Sequence, residues 1–162
     1  MLRFFKKSWD LIIVRCILNW INLFHEFSIS SRPSGLNEIT SSIIKWLNTT
    51  NIQDGLLTVF IPHTSCSLLI QENADPEVQL DLEDFFQRLV PYGDPLFRHT
   101  AEGPDDMPAH IRSALTQTHL SIAIKSKKLM LGTWQGVYVY EHRQHSHHRQ
   151  IYLQALGNSS HG

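Results

Sequence analysis

The hydrophobic pattern along the chain switches repeatedly between a period near two and a period near 3.6. The densest apolar run, residues 56–61, reads as a strand buried on both faces. Pro62 ends it, because proline cannot donate to a sheet ladder. A second apolar run, residues 67–70, follows after His63, Thr64, Ser65 and Cys66. Upstream, residues 23–30 alternate weakly and predict a first strand, and residues 32–35 are turn chemistry. Thr40 is placed to cap a helix carrying Ile43, Ile44, Trp46 and Leu47, and Asp54-Gly55 predicts the turn into the next strand.

Asp75-Pro76-Glu77 predicts a second helix start, with Val78, Leu82, Phe85, Phe86 and Leu89 recurring on one side. Residues 91–105 are rich in glycine and proline. An irregular segment of that length is uncommon in a compact domain unless it serves a site or is disordered. Asp105 or Asp106 caps a short helix with Pro108 in its first turn. Residues 120–124 alternate cleanly, residues 125–128 form a charged turn, and apolar runs at 129–141 and 151–156 bracket a histidine-rich hairpin loop. Strands and helices that do not alternate regularly predict an α+β domain, mainly an antiparallel two-sheet sandwich with two main helices.

The chain has 162 residues, enough for one domain with a real core. A net charge of -1 gives no basic balance for nucleic acid. Near the N-terminus, Arg3, Lys6 and Lys7 precede an apolar run at 11–18 that is interrupted by Arg15 and too short to span a membrane. The expectation is an N-terminal extension (1–21), one domain (22–157) and a tail (158–162), with no stable membrane insertion. Cys16 and Cys66 make neither a metal pair nor a disulfide framework, which suits a reducing, cytoplasmic setting.

The 10 histidines bring chemistry into the picture. His63, with Thr64 and Ser65, sits between two buried strands, where polar groups need partners. Either His63 points into a site that the hydroxyls line, or the hydroxyls bond the local backbone. His110 lies one helical turn from Asp106, close enough for the carboxylate to fix its tautomer. Gly132 and Gly136 suggest a bulge whose freed amides, helped by Thr133 and Gln135, could hold an anion. His145, His147 and His148 are exposed-loop histidines and are not counted as site residues.

Several segments together resemble the YjbQ-like family, which carries the name secondary thiamine-phosphate synthase. They are residues 55–72 with His63-Thr-Ser-Cys-Ser, the Asp75-Pro76 helix with Asp81, Arg98-His99, Asp105-Asp106-Met-Pro-Ala-His110-Ile, Gly132-Thr-Trp-Gln-Gly136 and Glu141-His-Arg. The resemblance covers roughly residues 22–157. It implies two packed sheets with helices, a homotrimer, and a polar pocket where histidines gather and a metal or anion sits. Carried onto this chain, it implies His63, His99 and His110 as metal ligands. Thr64, Ser65, Asp106, Thr133, Trp134, Gln135, Glu141 and Arg143 would surround them.

The resemblance implies an activity that couples a pyrimidine diphosphate to a thiazole phosphate. Arg98 and Arg143 would then hold phosphate. A divalent metal on three neutral histidines favours zinc over magnesium, although magnesium is not excluded. Two alternatives stand beside it. One is a metal-dependent hydrolase or lyase with His63, His110, Asp106 and Glu141 as catalytic groups. The other is a trimeric module that binds a small phosphorylated metabolite without turnover. A serine or cysteine hydrolase on Ser65 or Cys66 is the weakest option, because His63 is too near in sequence for triad geometry.

Overall fold

The computed structural model describes residues 20–159. The strands are β1 (Trp20–Ser30), β2 (Gly35–Glu38), β3 (Ile52–Phe60), β4 (Cys66–Glu72), β5 (His119–Lys125), β6 (Lys128–Leu129), β7 (Gln135–Glu141) and β8 (His148–Ser159). The helices are α1 (Thr40–Thr49), α2 (Pro76–Leu89) and α3 (Asp106–Leu115). The strands build an antiparallel five-stranded sheet, β1-β8-β3-β5-β6, and an antiparallel three-stranded sheet, β2-β7-β4. This is the expected α+β sandwich.

Strand periodicity decides what lies between the sheets. In β8, Arg149, Ile151, Leu153 and Ala155 are buried while the residues between them are more open. They meet Leu57 and Val59 of β3 and Leu120, Ile122 and Ile124 of β5. Cys66, Leu68, Val137 and Val139 close the core from the small sheet, and α1 adds Ile43 and Leu47. A second, smaller core lies on the outer face of the small sheet. There α2 lays Leu82 and Phe86 over Leu36, Tyr138 and Tyr140.

Several local expectations are corrected. Residues 56–61 are not buried on both faces: Leu56 is 45% and Phe60 41% exposed, and with Phe24, Tyr152 and Leu156 they lie open on the outer side of the large sheet. Asp54-Gly55 is not a turn but part of β3. Gly55 pairs with Gly157, and a Cβ on Gly55 would lie 2.3 Å from the Leu156 carbonyl oxygen. Thr40 is the first residue of α1 rather than its cap. Its hydroxyl donates to Glu38 and accepts from the Val137 N–H. The α2 start is as expected, with Asp75 accepting from the Glu77 N–H, but Phe85 and Leu89 are exposed.

Strand β2 was not foreseen, because four residues after a turn carry no readable period. The extension expected over residues 1–21 lies almost wholly outside the described residues. Among those described, no helix is long and apolar enough to cross a membrane.

Candidate functional site

One end of the sandwich gathers the loop after β3, the end of β7, the start of β8, the segment between α2 and α3, and the first turn of α3. The seam between the sheets is closed there by a buried ion pair. Glu141, at the end of β7, has no exposed surface, and Arg149 of β8 is 5% exposed. Arg149 donates through Nε to Glu141 Oε2 at 2.7 Å and through Nη2 to Oε1 at 2.6 Å. Ser31 Oγ donates to Oε2 at 2.6 Å, and the Arg143 N–H donates to Oε1. Burial pushes the Glu141 pKa up, but the Arg149 and Ser31 hydrogen bonds outweigh it and hold the carboxyl below its ordinary value.

The same guanidinium donates to Ser65 Oγ at 3.0 Å. His63, on that loop, accepts the Gln150 backbone N–H at Nε2, 2.9 Å away. An accepting Nε2 leaves the proton of the neutral ring on Nδ1. Burial, and then the Arg149 charge, lower the His63 pKa and keep the ring neutral. His63 is therefore a hydrogen-bond donor through Nδ1, with no free nitrogen lone pair for a metal.

The open part of the site centres on Asp106, which is 2% exposed at the start of α3. Its Oδ1 accepts from Arg143 Nη1. Its Oδ2 lies 2.7 Å from His99 Nε2 and 3.3 Å from His110 Nε2. The potential ligand atoms of His99, Asp106 and His110 all lie within 4.8 Å of one another. This trio replaces the expected His63, His99 and His110, and His63 stands outside it. His110 Nδ1 is 3.1 Å from the Thr64 carbonyl oxygen, which can only accept. The proton is therefore on Nδ1, and Nε2 faces the Asp106 carboxylate.

Asp105, the residue before α3, does not cap the helix with its side chain. Its carboxylate instead accepts from Arg143 Nε at 3.0 Å and from the Gln144 N–H at 2.9 Å. Burial raises its pKa, but these donors prevail and hold it low. Arg143 also donates to the Glu102 carbonyl. It is thus spent on orienting Asp105 and Asp106, and is not free for phosphate as the resemblance implied. Beside His99, residues 93–104 line an open pocket of about 330 Å³, with Pro95, Phe97, Thr100 and Pro104 on its walls. Arg98 is exposed next to it.

The remaining expected residues are not brought together with these. Gln135 and Glu141 sit at opposite ends of β7, about 20 Å apart at ~3.3 Å per residue. Thr133, Trp134 and Gln135 therefore lie away from the Asp106 centre of the same chain. The Gly132 amide, expected to hold an anion, donates to Gln135 Oε1 at 2.7 Å. Glu141, expected as a base, is a buried counter-ion with both oxygens occupied. Cys66 is buried and its thiol is pushed up to about 12 by burial, so it is no nucleophile. Arg149 and Asp105 were missed. Arg149 looked like part of the histidine-rich loop, yet it occupies an inward position in the alternation of β8.

Residues 25–158 match the family described as UPF0047 protein YjbQ-like. The UPF0047 protein sll1880 of Synechocystis sp. is 49% identical over 80% of this chain and 88% of its own. The UPF0047 protein YjbQ of Salmonella typhimurium is 39% identical over 76% and 90%. A conserved hypothetical protein of Thermus thermophilus superposes with a TM-score of 0.72 at 32% identity, covering 80% of this chain and 97% of the other. A YbjQ-like protein of unknown function from Sulfolobus solfataricus shares the fold with a TM-score of 0.77 at 18% identity, over 86% and 99% of the two chains.

Proposed function

The chain belongs to the UPF0047 protein YjbQ-like family, and on that premise we propose that it is a divalent-metal-dependent hydrolase or lyase acting on a small phosphorylated metabolite at His99, Asp106 and His110. One observation carries this reading. A single carboxylate oxygen, Asp106 Oδ2, faces two imidazole Nε2 atoms at 2.7 and 3.3 Å. The Thr64 carbonyl already claims the His110 proton at Nδ1. Neutral His110 would therefore aim a lone pair at a carboxylate, which is repulsive unless a cation or a second proton lies between them. Two imidazoles and a carboxylate suit zinc, and the open fourth position of catalytic zinc sites suits a centre this exposed. Magnesium prefers all-oxygen shells and fits less well.

A bound ion would polarise a phosphoryl or carbonyl oxygen and lower the pKa of a water. The chain's own groups do the rest. Arg143 fixes the Asp106 carboxylate, and the Thr64 carbonyl fixes the His110 tautomer, both typical supports of metal ligands. His63 offers Nδ1–H, and Arg98 places positive charge beside the pocket next to His99, where the uncharged part of the substrate would lie. The thiamine-phosphate coupling implied by the resemblance would use the same centre on a diphosphate leaving group. The imidazole-rich donor set supports the choice of hydrolysis or elimination over it, because diphosphate departure is better served by magnesium.

The same reading takes the chain as a cytoplasmic homotrimer. The open apolar face formed by Phe24, Leu56, Phe60, Tyr152 and Leu156 supports association, since monomers rarely leave such patches uncovered. The test is turnover of a panel of phosphorylated metabolites by zinc-loaded protein. At least one should turn over, with a loss of about a hundredfold or more in Asp106→Ala and His110→Ala and near-full activity in Thr133→Ala. Equal rates in wild type and both site variants, or no turnover of any panel member, would remove the enzyme reading and leave a binding module.

A further inference from the structure

Beneath α2, on the outer face of the small sheet, three polar atoms are buried without a partner among the described residues: Arg112 Nε, Tyr140 Oη and His142 Nδ1. Their side chains are among the least exposed in the protein, with Arg112 at 3%, Tyr140 at 1% and His142 at 0%. Orphaned buried polar atoms are rare, and each calls for a specific cause. These three belong to neighbouring side chains. The Tyr140 and His142 rings meet edge to face with centroids 4.4 Å apart. Arg112 Nη1 donates to the Tyr92 hydroxyl at 2.9 Å, and that hydroxyl reaches the His142 carbonyl oxygen at 3.5 Å.

The charge balance sharpens the point. Among the described residues, the Arg112 guanidinium donates, besides Tyr92, only to the Val90 carbonyl, and it lies over the Tyr92 ring at 4.5 Å. Among the described residues it forms no ion pair. Glu141, on the inner face of the sheet, is committed to Arg149. The carboxylate whose charge reaches Tyr140 is Glu83, which accepts the Leu36 N–H. A buried cation without a counter-charge is costly. His142 does not add a second charge, because burial and the two arginines hold its pKa down near 3. Its Nε2 is 2.9 Å from Ser67 Oγ. A serine hydroxyl that donates there leaves Nδ1 carrying its proton outward.

We infer that Arg112, Tyr140 and His142 form a site for one small monoanion of halide size, on the side of α3 away from Asp106 and His110. The Arg112 and Tyr140 donors, one of them charged, joined by His142 Nδ1–H in the tautomer that a donating Ser67 hydroxyl sets, supply what such an ion requires. Water would satisfy hydrogen bonds but leave the guanidinium uncompensated. Phosphate has more acceptor oxygens than this enclosure has free donors. The ion would tie α3 to β7 and to the segment at Val90 and Tyr92, and so hold from behind the helix that carries Asp106 and His110. This site does not depend on the metal reading, and either can fail without the other.

Crystals of the full chain grown in sodium bromide test it by anomalous diffraction at the bromine edge. A peak within about 3.5 Å of Arg112 Nε and Tyr140 Oη is expected. An ordered water there without anomalous signal, or empty density, would overturn the site. Tyr140→Phe removes one donor with little change of shape. In gluconate the variant should melt at or above wild type, because an orphan hydroxyl is gone. In bromide it should bind the ion about tenfold or more weakly and lose the halide-dependent rise in Tm. Equal bromide affinity in wild type and variant would contradict the assignment.

Discussion

Replacing Arg149 by Met tests whether the Glu141–Arg149 pair is the clasp of the sandwich. Methionine keeps the apolar length of the side chain but removes both hydrogen bonds to Glu141, at 2.7 and 2.6 Å. Glu141 keeps Ser31 and the Arg143 N–H but has no counter-charge at 0% exposure. Removing one partner of a buried pair costs about 3–5 kcal/mol, most of it from the stranded charge. At roughly 2–4 °C per kcal/mol for a chain of this size, Tm should fall by about 6–20 °C.

The pH dependence should change sign. In wild type the Glu141 pKa is depressed. Its stabilisation is present above the unfolded carboxyl pKa and is lost as pH falls through the folded one. In Arg149→Met, burial dominates and raises the Glu141 pKa. The variant should therefore lose stability as pH rises through that value and regain part of the gap on acidification. Urea unfolding monitored at several pH values measures both effects. The double variant Glu141→Gln/Arg149→Met should recover much of the loss. A single-variant loss below about 1 kcal/mol, as for a surface pair, or a double variant no more stable than the single, would refute the clasp.

Three further outcomes follow from the same geometry. Cys66, buried with its thiol pushed up to about 12, should not react with a thiol reagent at neutral pH until the protein unfolds; labelling of a native Cys16→Ser chain within minutes would contradict this. Gly55→Ala places a Cβ 2.3 Å from the Leu156 carbonyl oxygen and should cost about 1–3 kcal/mol or more in urea unfolding, because two paired backbones must separate. On the proposed association, the parent chain should give a trimer mass in light scattering, and Leu56→Asp with Phe60→Asp, which puts charge on the open sheet face, should give a monomer, with Tm as the control for folding.

Much of this architecture is legible in the chain, for physical reasons. The core strands are long enough for their period to show, and Asp75-Pro76-Glu77 states the α2 start in its own side chains. What escaped depends on pairings across sequence. Gly55 looked like a turn because nothing local reveals that Gly157 lies against it. The run at 56–61 looked doubly buried because its outward residues, Leu56 and Phe60, are apolar although they lie open, so composition alone does not separate the two faces. At the site, His99, Asp106 and His110 were all named, and the one-turn spacing of Asp106 and His110 was readable. The place of His63 was not, because its accepting bond to the Gln150 N–H joins positions 87 residues apart. The fixed partners of Arg143 were hidden in the same way, whereas the inward register of Arg149 could have been read from β8.

The central claim is that His99, Asp106 and His110, without His63, form a metal centre. Zinc titration followed by elemental analysis, on the full chain and on His63→Gln, His99→Ala, His110→Ala and Asp106→Asn, tests it most directly. The account predicts about one zinc per chain in wild type and in His63→Gln, with affinity reduced about tenfold to a hundredfold or more in the other three. Loss of zinc in His63→Gln alone, or equal binding by wild type and all four variants, would contradict it.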